Sequence, residues 1–411
     1  MKILMLTSFP PCQLSTGGLV LDRLCRFLPR GSIASYVVAG LMPDARLSAD
    51  LDWIPVRYAV CPRQRVPILS SKLLQNAFSL GMDRWNTATA IPKLVRNIVA
   101  FGKTFGADRL WCTLEGQTLI RLALPVANRL GVPLVTHICD PPAWWLRANL
   151  IDPISQRRIL HCYEESIRGS VRCAAASWAM ADDYHEAYGV HAVPLIPSLD
   201  ENLAREPARA ISDGDRLIIA IAGKIYATEE WSCLLRGLES VSWRIGGRDV
   251  VIRVLAQSLP NAEHAVRIEF LGWRPEEEVI RLLSKADVLY CPYWFDPAFE
   301  REARYGFPGK VTSYLASGRP ILFHGPSYAS PARFLETHQA GLCCYSLEPK
   351  EVVRALENLV GDADLYSRLA ANGSQAFHEN LTLRCYRKAF SEILQVKEGC
   401  LVADVADRSP V

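Results

Sequence analysis

One short segment of the chain combines a tight turn, a lysine and the start of a helix. Residues 307–320 read Phe-Pro-Gly-Lys-Val-Thr-Ser-Tyr-Leu-Ala-Ser-Gly-Arg-Pro, so a turn at Pro308 and Gly309 precedes a predicted helix. The first amides of a helix lack carbonyl partners and carry a partial positive charge. Together with Lys310, these amides could hold an anion, most naturally a diphosphate. An ordinary capped helix is the alternative.

A second glycine-containing loop lies near the start of the chain. Gly17 and Gly18 stand between a predicted strand, Ile3–Thr7, and a predicted helix, Leu19–Phe27. Glycines let the backbone approach a ligand closely, and the helix start favours phosphate or sugar oxygens. A tight turn is the alternative. The spacing is not Gly-x-Gly-x-x-Gly, so no dinucleotide-binding fingerprint is predicted.

These loops belong to a chain in which short apolar runs alternate with helical patterns. Such alternation predicts parallel sheets with helices on both faces. The predicted strands are Ile3–Thr7, Tyr36–Ala39, Arg109–Thr113, Leu134–His137, Ala174–Ala176, Leu217–Ala222, Val250–Leu255, Ile268–Leu271, Val288–Cys291 and Ile321–Phe323.

A polar stretch divides the predicted elements into two series. We predict an N-terminal Rossmann-like domain at 1–197, a linker at 198–214 and a C-terminal Rossmann-like domain at 215–383. Residues 384–411 are predicted to form a final helix, followed by a flexible tail. Two doubly wound domains that face one another would present their binding loops on both sides of one cleft.

The composition excludes several classes of protein. The chain has 411 residues and a formal net charge of +3, which is too small to predict a nucleic-acid partner. Its 13 cysteines include no Cys-x-x-Cys pair, which argues against a disulfide framework or zinc site and favours reduced thiols in a cytoplasm. No apolar run reaches the roughly 18 residues that span a bilayer. The apolar start of the chain is interpreted as a strand rather than a signal peptide.

The segment around the Pro-Gly turn resembles the donor-binding segment of GT-B glycosyltransferases. Residues 305–308 read Tyr-Gly-Phe-Pro, and residues 313–320 read Ser-Tyr-Leu-Ala-Ser-Gly-Arg-Pro. This is similar to retaining family 4 (glycosyl transferases group 1), in the branch whose donor loop reads Phe-Pro-x-Lys. The similarity is strongest over 305–323, moderate at 3–18 and 217–224, and weak elsewhere.

The resemblance implies a fold and an activity. The fold would be α/β, of the GT-B type, with two doubly wound parallel-sheet (Rossmann-like) domains facing a central cleft. The N-terminal domain would lie on the acceptor side, and the C-terminal domain would bind the nucleotide-sugar donor. The helix within residues 384–411 would cross back to the N-terminal domain, as a C-terminal helix often does in GT-B enzymes. The activity would be transfer of a sugar from a nucleotide-diphosphate donor to a hydroxyl acceptor, with retention of configuration.

The resemblance also implies two cations for the diphosphate. Gly223 and Lys224 stand where the family usually has Gly-Arg, with a lysine five residues after the arginine. Here the second position is Glu229, and Lys310 is a plausible replacement. A fixed cation would stabilise the charge that builds on the leaving group. A solvated loop lysine is the alternative for Lys224.

The two glutamates that are usual in the family are absent, and their positions hold Tyr305 and Ser313. These side chains can bond a hydroxyl but carry no negative charge. Trp273 stands where the family binds the base and could stack on it, although a core tryptophan is equally open. The donor-binding set implied by the resemblance is Gly17, Gly18, Gly223, Trp273, Tyr305, Gly306, Phe307, Pro308, Gly309 and Ser313.

Two residues at a strand end complete the predicted catalytic set of His137, Asp140, Lys224 and Lys310. The family often carries a histidine at this strand end, near the donor sugar and the acceptor, and Asp140 is the nearest carboxylate. A structural histidine is the alternative. Glu115 is a further candidate, for which a surface turn is the alternative.

No cofactor and no metal are expected. No Asp-x-Asp stands in a plausible metal-binding loop, and the resembled enzymes generally work without metal. They are thought to need no protein nucleophile, since the leaving phosphate would accept the acceptor's proton.

Residues 63–80 mix cations with apolar residues at helical spacing. Such a helix could lie on a membrane and reach a lipid-linked acceptor, or it could pack on its own domain. The reduced thiols predict a cytoplasmic location, and this helix would allow peripheral contact at the inner face of the membrane.

Two other functions stay open. One is a non-catalytic sugar-binding partner subunit, and the other is a nucleotide-sugar epimerase or hydrolase, which would need a carboxylate pair.

Overall fold

The computed structural model describes residues 1–40, 46–259 and 267–402. The chain divides into two compact units, one formed by Met1–Leu195 with Arg387–Val411 and the other by Ile196–Tyr386. The flexible tail predicted after the last helix extends beyond residue 402, where it lies outside the described residues.

The first unit contains a seven-stranded sheet in which every pairing is parallel, with strand order β3-β2-β1-β4-β5-β6-β7. Its elements are β1 (Ile3–Thr7), α1 (Thr16–Arg26), β2 (Ile33–Ala39), β3 (Val56–Val60), α2 (Lys72–Trp85), α3 (Ile91–Phe105), β4 (Arg109–Thr113), α4 (Gly116–Leu130), β5 (Leu134–Ile138), α5 (Pro142–Ala148), α6 (Pro153–Arg168), β6 (Ser170–Ala175), α7 (Trp178–Tyr188) and β7 (Ala192–Pro194).

The second unit contains a sheet with the parallel order β11-β10-β8-β12-β13-β14, and the short β9 pairs antiparallel with β10. Its elements are β8 (Arg216–Ala222), α8 (Thr228–Ser240), β9 (Arg244–Ile245), β10 (Arg248–Leu255), β11 (Ile268–Phe270), α9 (Glu276–Leu283), β12 (Val288–Pro292), α10 (Glu300–Tyr305), α11 (Gly309–Ala316), β13 (Ile321–His324), α12 (Ser330–Thr337), β14 (Leu342–Cys344), α13 (Pro349–Gly361), α14 (Ala363–Asn380) and α15 (Leu383–Ile393), the last of which continues into the first unit.

Apolar burial on both faces explains why these strands form parallel sheets. All five residues of β1 and all five of β12 are buried, as expected for strands that helices cover on both sides. In each sheet the chain reverses its direction of growth beside the first strand, between β1 and β4 and between β8 and β12. Open α/β sheets bind ligands outside the carboxyl ends of the strands at such points.

Several short strands were not predicted from the sequence. The edge strand β3 exposes most of its residues, so it lacks the apolar run that marked the other strands. The strands β7 and β14 have only three residues each, which is too short for a recognisable pattern.

The segment predicted as a linker packs on the second unit. The Arg205 amide donates to the Ala316 carbonyl at 2.8 Å, and the Ala208 amide donates to the Gly318 carbonyl at 2.9 Å. Gly318 has φ +68°, and a Cβ there would lie 2.5 Å from the Glu206 carbonyl oxygen. Glycine is therefore required where this segment crosses the end of α11.

The last helix contacts the first sheet. The Phe390 and Trp111 rings lie 5.1 Å apart between centroids, and His191 Nε2 lies 2.8 Å from Glu392 Oε1. The Val402 amide donates to the Phe27 carbonyl at 2.8 Å. In the described ranges, no helix is long and apolar enough to cross a membrane.

Candidate active site

The predicted anion-binding turn lies at the start of α11. Pro308 precedes the helix with φ −73° and ψ 131°, and no side chain caps the first amides. Gly309 is exposed, and a Cβ there would meet open space. The first turn contains no acidic residue. The Val311 amide donates to the Pro308 carbonyl at 2.9 Å, so the anion-binding amides of this helix start would be those of Gly309 and Lys310, which are positively polarised.

Lys310 extends from the first turn of α11 to the end of β8. Its Nζ donates to the Lys224 carbonyl at 3.1 Å and lies 4.9 Å from the centroid of the Tyr226 ring. The side chain is half-buried, and burial lowers the pKa of Lys310 from its ordinary value. No carboxylate among the described residues forms an ion pair with it. Its charge is therefore available to an anionic ligand.

The loop after β8 supplies the second predicted cation. Gly223 has φ +75°, a conformation that favours glycine, and its amide donates to the Leu255 carbonyl at 2.8 Å. A Cβ there would lie 3.8 Å from Lys310 Cε, which is an ordinary contact. Glycine is therefore favoured by the backbone conformation and not by a lack of room for a side chain. Lys224 is exposed and follows directly. The structure thus brings Gly223, Lys224 and Lys310 together.

A buried tyrosine that the sequence analysis did not single out connects these parts. Tyr314, in α11, accepts a hydrogen bond from the Ala222 amide at 2.8 Å and donates to the Tyr290 carbonyl at 3.1 Å. It therefore fixes the helix against the ends of β8 and β12. Its position four residues after Lys310, on the same helix, was the signal that could have identified it.

Aromatic residues beside Lys310 were also missed. Tyr226 stacks on Trp294 with ring centroids 4.4 Å apart, and Trp294 stacks on Phe299 at 5.1 Å. Because Tyr226 also lies beneath the Lys310 ammonium, the stack supports the lysine from below. Such partners are distant in sequence and give no local pattern.

The other predicted donor residues of the second unit have mixed surroundings. The Tyr293 hydroxyl donates to the Gly306 carbonyl at 3.0 Å, and a Cβ on Gly306 would lie 2.9 Å from that hydroxyl oxygen. Phe307 is buried against Phe334, with ring centroids 5.3 Å apart, so it has a packing role. Tyr305 and Ser313 are half-buried, in α10 and α11.

Two further residues of the second unit, Trp273 and Glu229, are exposed. Trp273, after β11, is 65% exposed, which excludes a core tryptophan and leaves its ring free to stack. Glu229 lies in the first turn of α8 and is exposed. Among the described residues, no hydrogen bond or ring contact joins Trp273 to Lys224 or Lys310.

In the first unit, the predicted glycines pack against their own loop. Gly17 and Gly18 lie in the first turn of α1, and the Gly18 amide donates to Ser15 Oγ at 3.1 Å. A Cβ on Gly17 would lie 2.3 Å from Phe9 Cζ, and a Cβ on Gly18 would lie 2.7 Å from the Cys12 carbonyl oxygen. Neither glycine has a positive φ. Close packing therefore explains these glycines, whatever ligand the helix start holds.

A titratable cluster lies where β1, β4 and β5 end side by side. The Ser8 hydroxyl donates to Glu115 Oε2 at 2.7 Å. Burial, reinforced by the neighbouring charge of Asp140, raises the pKa of Glu115 to about 7. Burial also raises the pKa of Asp140, whose side chain is exposed on one side, and that of Cys139. The cluster therefore pairs two carboxyl groups of unusual basicity at a strand-order reversal.

His137 lies beside this cluster but inside the protein. Only 3% of the residue is exposed, its ring lies parallel to that of Trp111 with centroids 6.0 Å apart, and its Nε2 is 3.9 Å from Cys139 Sγ. Burial lowers the pKa of His137 to about 4, and its Nδ1 has no hydrogen-bond partner among the described residues. The imidazole is therefore neutral near pH 7. Of the two predicted residues at this strand end, Asp140 is the accessible one.

The predicted catalytic residues thus fall into two groups. Lys224 and Lys310 belong to the second unit, and His137 and Asp140 belong to the first. Within the described parts of the chain, no group of three or more His, Cys, Asp or Glu residues is arranged to hold a metal ion.

Comparison with known protein families gives a match for much of the second unit. Residues 217–362 match the model of the family described as Glycosyl transferases group 1. The matched range of this glycosyl transferase model contains Gly223, Lys224 and Lys310. No curated protein sequence matches the chain.

Solved structures resemble the chain over nearly its whole length. The structure of Anabaena HepE in complex with UDP aligns with a TM-score of 0.64 and 14% sequence identity. The alignment covers 96% of this chain and 100% of the HepE chain. Sucrose-phosphate synthase from Thermosynechococcus elongatus has a TM-score of 0.64 at 11% identity, covering 96% and 98%. The trehalose 6-phosphate synthase of Burkholderia multivorans has a TM-score of 0.61 at 14% identity, covering 96% and 98%.

These likenesses confirm the predicted fold class, an α/β chain with two parallel-sheet domains of the GT-B type. The predicted cleft between the domains stays a prediction. The match of residues 217–362 to the glycosyl transferase model supports a glycosyltransferase.

Proposed function

We propose that the chain transfers a hexose from a nucleotide-diphosphate donor to a hydroxyl acceptor, with retention of configuration and without metal. The acceptor would be a glycan, a lipid-linked saccharide or a small molecule, and the proposed setting is polysaccharide biosynthesis in a cytoplasm. Membership of family 4 and the role of the Phe-Pro-x-Lys loop belong to the same proposal. Solved neighbours bind UDP and UDP-glucose, which supports a nucleotide-sugar donor.

The observation that carries the proposal is the position of Lys310 over the end of β8. Its ammonium, the exposed Lys224 and the uncapped amides of α11 converge on one loop. A diphosphate would bring two or more negative charges to a place where no described carboxylate offsets the lysines. Charge grows on that diphosphate as the sugar departs, so these groups would stabilise the transition state more than the ground state.

The proposed step needs no other co-reactant. The bond between the anomeric carbon and the diphosphate oxygen breaks, and a bond from that carbon to the acceptor oxygen forms on the same face. The proton of the acceptor hydroxyl passes to the departing phosphate oxygen. In this scheme Asp140 would bind the acceptor.

One observation favours a second candidate, hydrolysis or epimerisation of the nucleotide sugar. The sequence showed no clear carboxylate pair, whereas in the structure the charge of Asp140 lies close enough to Glu115 to add to the raised pKa of Glu115. A carboxyl group with a pKa of about 7 suits general acid–base chemistry. This candidate predicts turnover of the donor in the absence of any sugar acceptor. A non-catalytic partner subunit, the remaining alternative, predicts no turnover at all.

Thermal unfolding with nucleotides tests the donor site. The protein is heated with UDP, GDP, TDP, ADP or CMP, each with and without magnesium. A ligand that binds only the folded state, present at about 100 times its dissociation constant, adds roughly 2.7 kcal/mol. We expect one diphosphate to raise the unfolding temperature equally with and without magnesium.

Two lysine variants make this test specific. Lys310→Ala should abolish the nucleotide-dependent rise, whereas Lys285→Ala, which removes an exposed lysine of the same unit, should keep it. Failure of every nucleotide to stabilise the native protein would refute the donor site. An equal rise in both variants would refute the role of Lys310.

A further inference from the structure

The helix α2 packs on the first unit through its polar side. Ser79 Oγ donates to Asp152 Oδ2 at 2.8 Å, and Asp83 is ion-paired with Arg158 at 2.9 Å and with Arg121. Both Ser79 and Asp83 are buried. The anchoring contacts of this helix are therefore hydrogen bonds and ion pairs, which is the reverse of an ordinary amphipathic surface helix.

The opposite side of α2 is apolar and exposed. Positions 74, 78, 81 and 85 follow one another at helical spacing along this side. The exposed fractions of its large side chains, with that of the preceding Ile68, are Ile68 87%, Leu73 80%, Leu74 60%, Phe78 41% and Trp85 70%. Scattered exposed apolar residues are ordinary, but a stripe of large ones along one side of a helix, interrupted here at Gly81, indicates an interaction surface.

The surroundings of this stripe are strongly basic. Residues 61–107 contain one acidic residue, Asp83, and its charge is already balanced inside the protein by Arg121 and Arg158. The cations of the same range are all exposed, and they are Arg63, Arg65, Lys72, Arg84, Lys93, Arg96 and Lys103. The guanidinium of Arg63 lies 5.8 Å from the centroid of the Phe78 ring, at the edge of the stripe.

We propose that this α2 face docks on the surface of an anionic lipid bilayer. Leucine, phenylalanine and tryptophan side chains enter the boundary between headgroups and acyl chains, and flanking lysines and arginines bind the anionic headgroups. A second copy of the chain is disfavoured because it would bring the exposed Arg63, Lys72 and Arg84 against the same cations of the other copy. The proposal does not depend on sugar transfer, since lipid binding can be measured without any donor.

The sequence pattern over residues 63–80 left two placements open, a membrane surface or packing on the same domain. The structure shows how a helix can have both contacts, because its polar side is anchored and its apolar side is left outward. The predicted helix over residues 63–80 was wrong at its start, because the helix begins at Lys72 and residues 63–71 are not helical. The helix also extends beyond the predicted range, to Trp85.

Vesicle flotation tests the proposal. The full-length protein is mixed with vesicles of phosphatidylcholine alone or of phosphatidylcholine with phosphatidylglycerol, at low and high salt. We expect flotation with the anionic vesicles and at least a tenfold loss of partitioning on the neutral ones, because each nearby cation contributes about 1 kcal/mol. High salt should weaken the binding, because it screens exposed charges.

Matched variants distinguish the α2 face from general charge effects. Leu74→Glu with Trp85→Glu should abolish flotation, whereas Val171→Glu with Gln375→Glu adds the same charge at exposed positions elsewhere and should retain it. Unfolding temperatures confirm that both pairs fold. The proposal is overturned if the native protein does not float with anionic vesicles, or if the α2 variant floats equally well. It is also overturned if the native protein is a dimer that only the α2 variant dissociates.

Discussion

At the scale of residues, the central claim depends on two ionisable side chains, Lys310 and Glu115, that form no ion pair among the described residues. Lys310 has an aromatic ring beneath it and a carbonyl beside it, but no described carboxylate. Glu115 has a serine donor and a second carboxyl group near it. Glu115 follows β4, and the side chain of Lys310 reaches the loop after β8, so both groups lie near a point where the strand order of a parallel sheet reverses. A residue kept in such a costly state is a candidate for function.

Glu115→Gln should change how stability depends on pH. The pKa of Glu115 is about 7 in the folded protein and near 4.5 in an unfolded chain, so the folded protein binds this proton more tightly. The stability that this proton contributes is present below about pH 4.5 and is lost as pH rises to about 7. Between about pH 5 and about pH 8, the native protein should therefore lose at least about 1 kcal/mol more than the glutamine variant.

Denaturant unfolding of both proteins at the two pH values measures this difference. The exposed Glu357→Gln serves as the control and should follow the native protein. Identical pH dependence in the native protein and Glu115→Gln would show that Glu115 titrates as an ordinary surface carboxyl group.

At the scale of elements, α11 is the part whose sequence and placement can be compared directly. The turn, the helix and its first-turn lysine were all predicted from residues 307–320, because a Pro-Gly turn and helix periodicity are local signals. The contact of Lys310 with Lys224, across 86 positions of sequence, was only inferred from resemblance. The support given by Tyr226 and Tyr314 was not predicted, because it depends on tertiary packing.

Tyr314→Phe tests whether α11 is held in place by that one hydroxyl. Its loss leaves the Ala222 amide and the Tyr290 carbonyl without this partner inside the protein. An unsatisfied buried group costs about 1–3 kcal/mol, so we expect a loss of stability of that size and weaker nucleotide binding.

Tyr345→Phe is the matched control, since that hydroxyl also forms a hydrogen bond, to Glu336, but at an exposed position. It should change the free energy of unfolding by less than about 1 kcal/mol. Equal effects of the two variants, measured by denaturant unfolding, would contradict a positioning role for Tyr314.

At the scale of the whole molecule, the two units differ in how far the sequence could describe them. The family match covers residues 217–362 of the second unit, where local motifs are strong. In the first unit most strands of the sheet were predicted, but the inward polar side of α2 was not, and a structural His137 was only the alternative interpretation. Helical periodicity shows that one side of α2 is apolar, but it cannot show which side faces the protein.

The most direct test of the central claim is the release of nucleotide diphosphate from nucleotide-diphosphate sugars. The purified native protein and Lys310→Ala are incubated with a panel of such donors, with and without hydroxyl acceptors. We predict that one donor releases its diphosphate, faster when an acceptor is present, and that Lys310→Ala loses most of this rate. No release from any donor, or equal release by both proteins, would contradict the account.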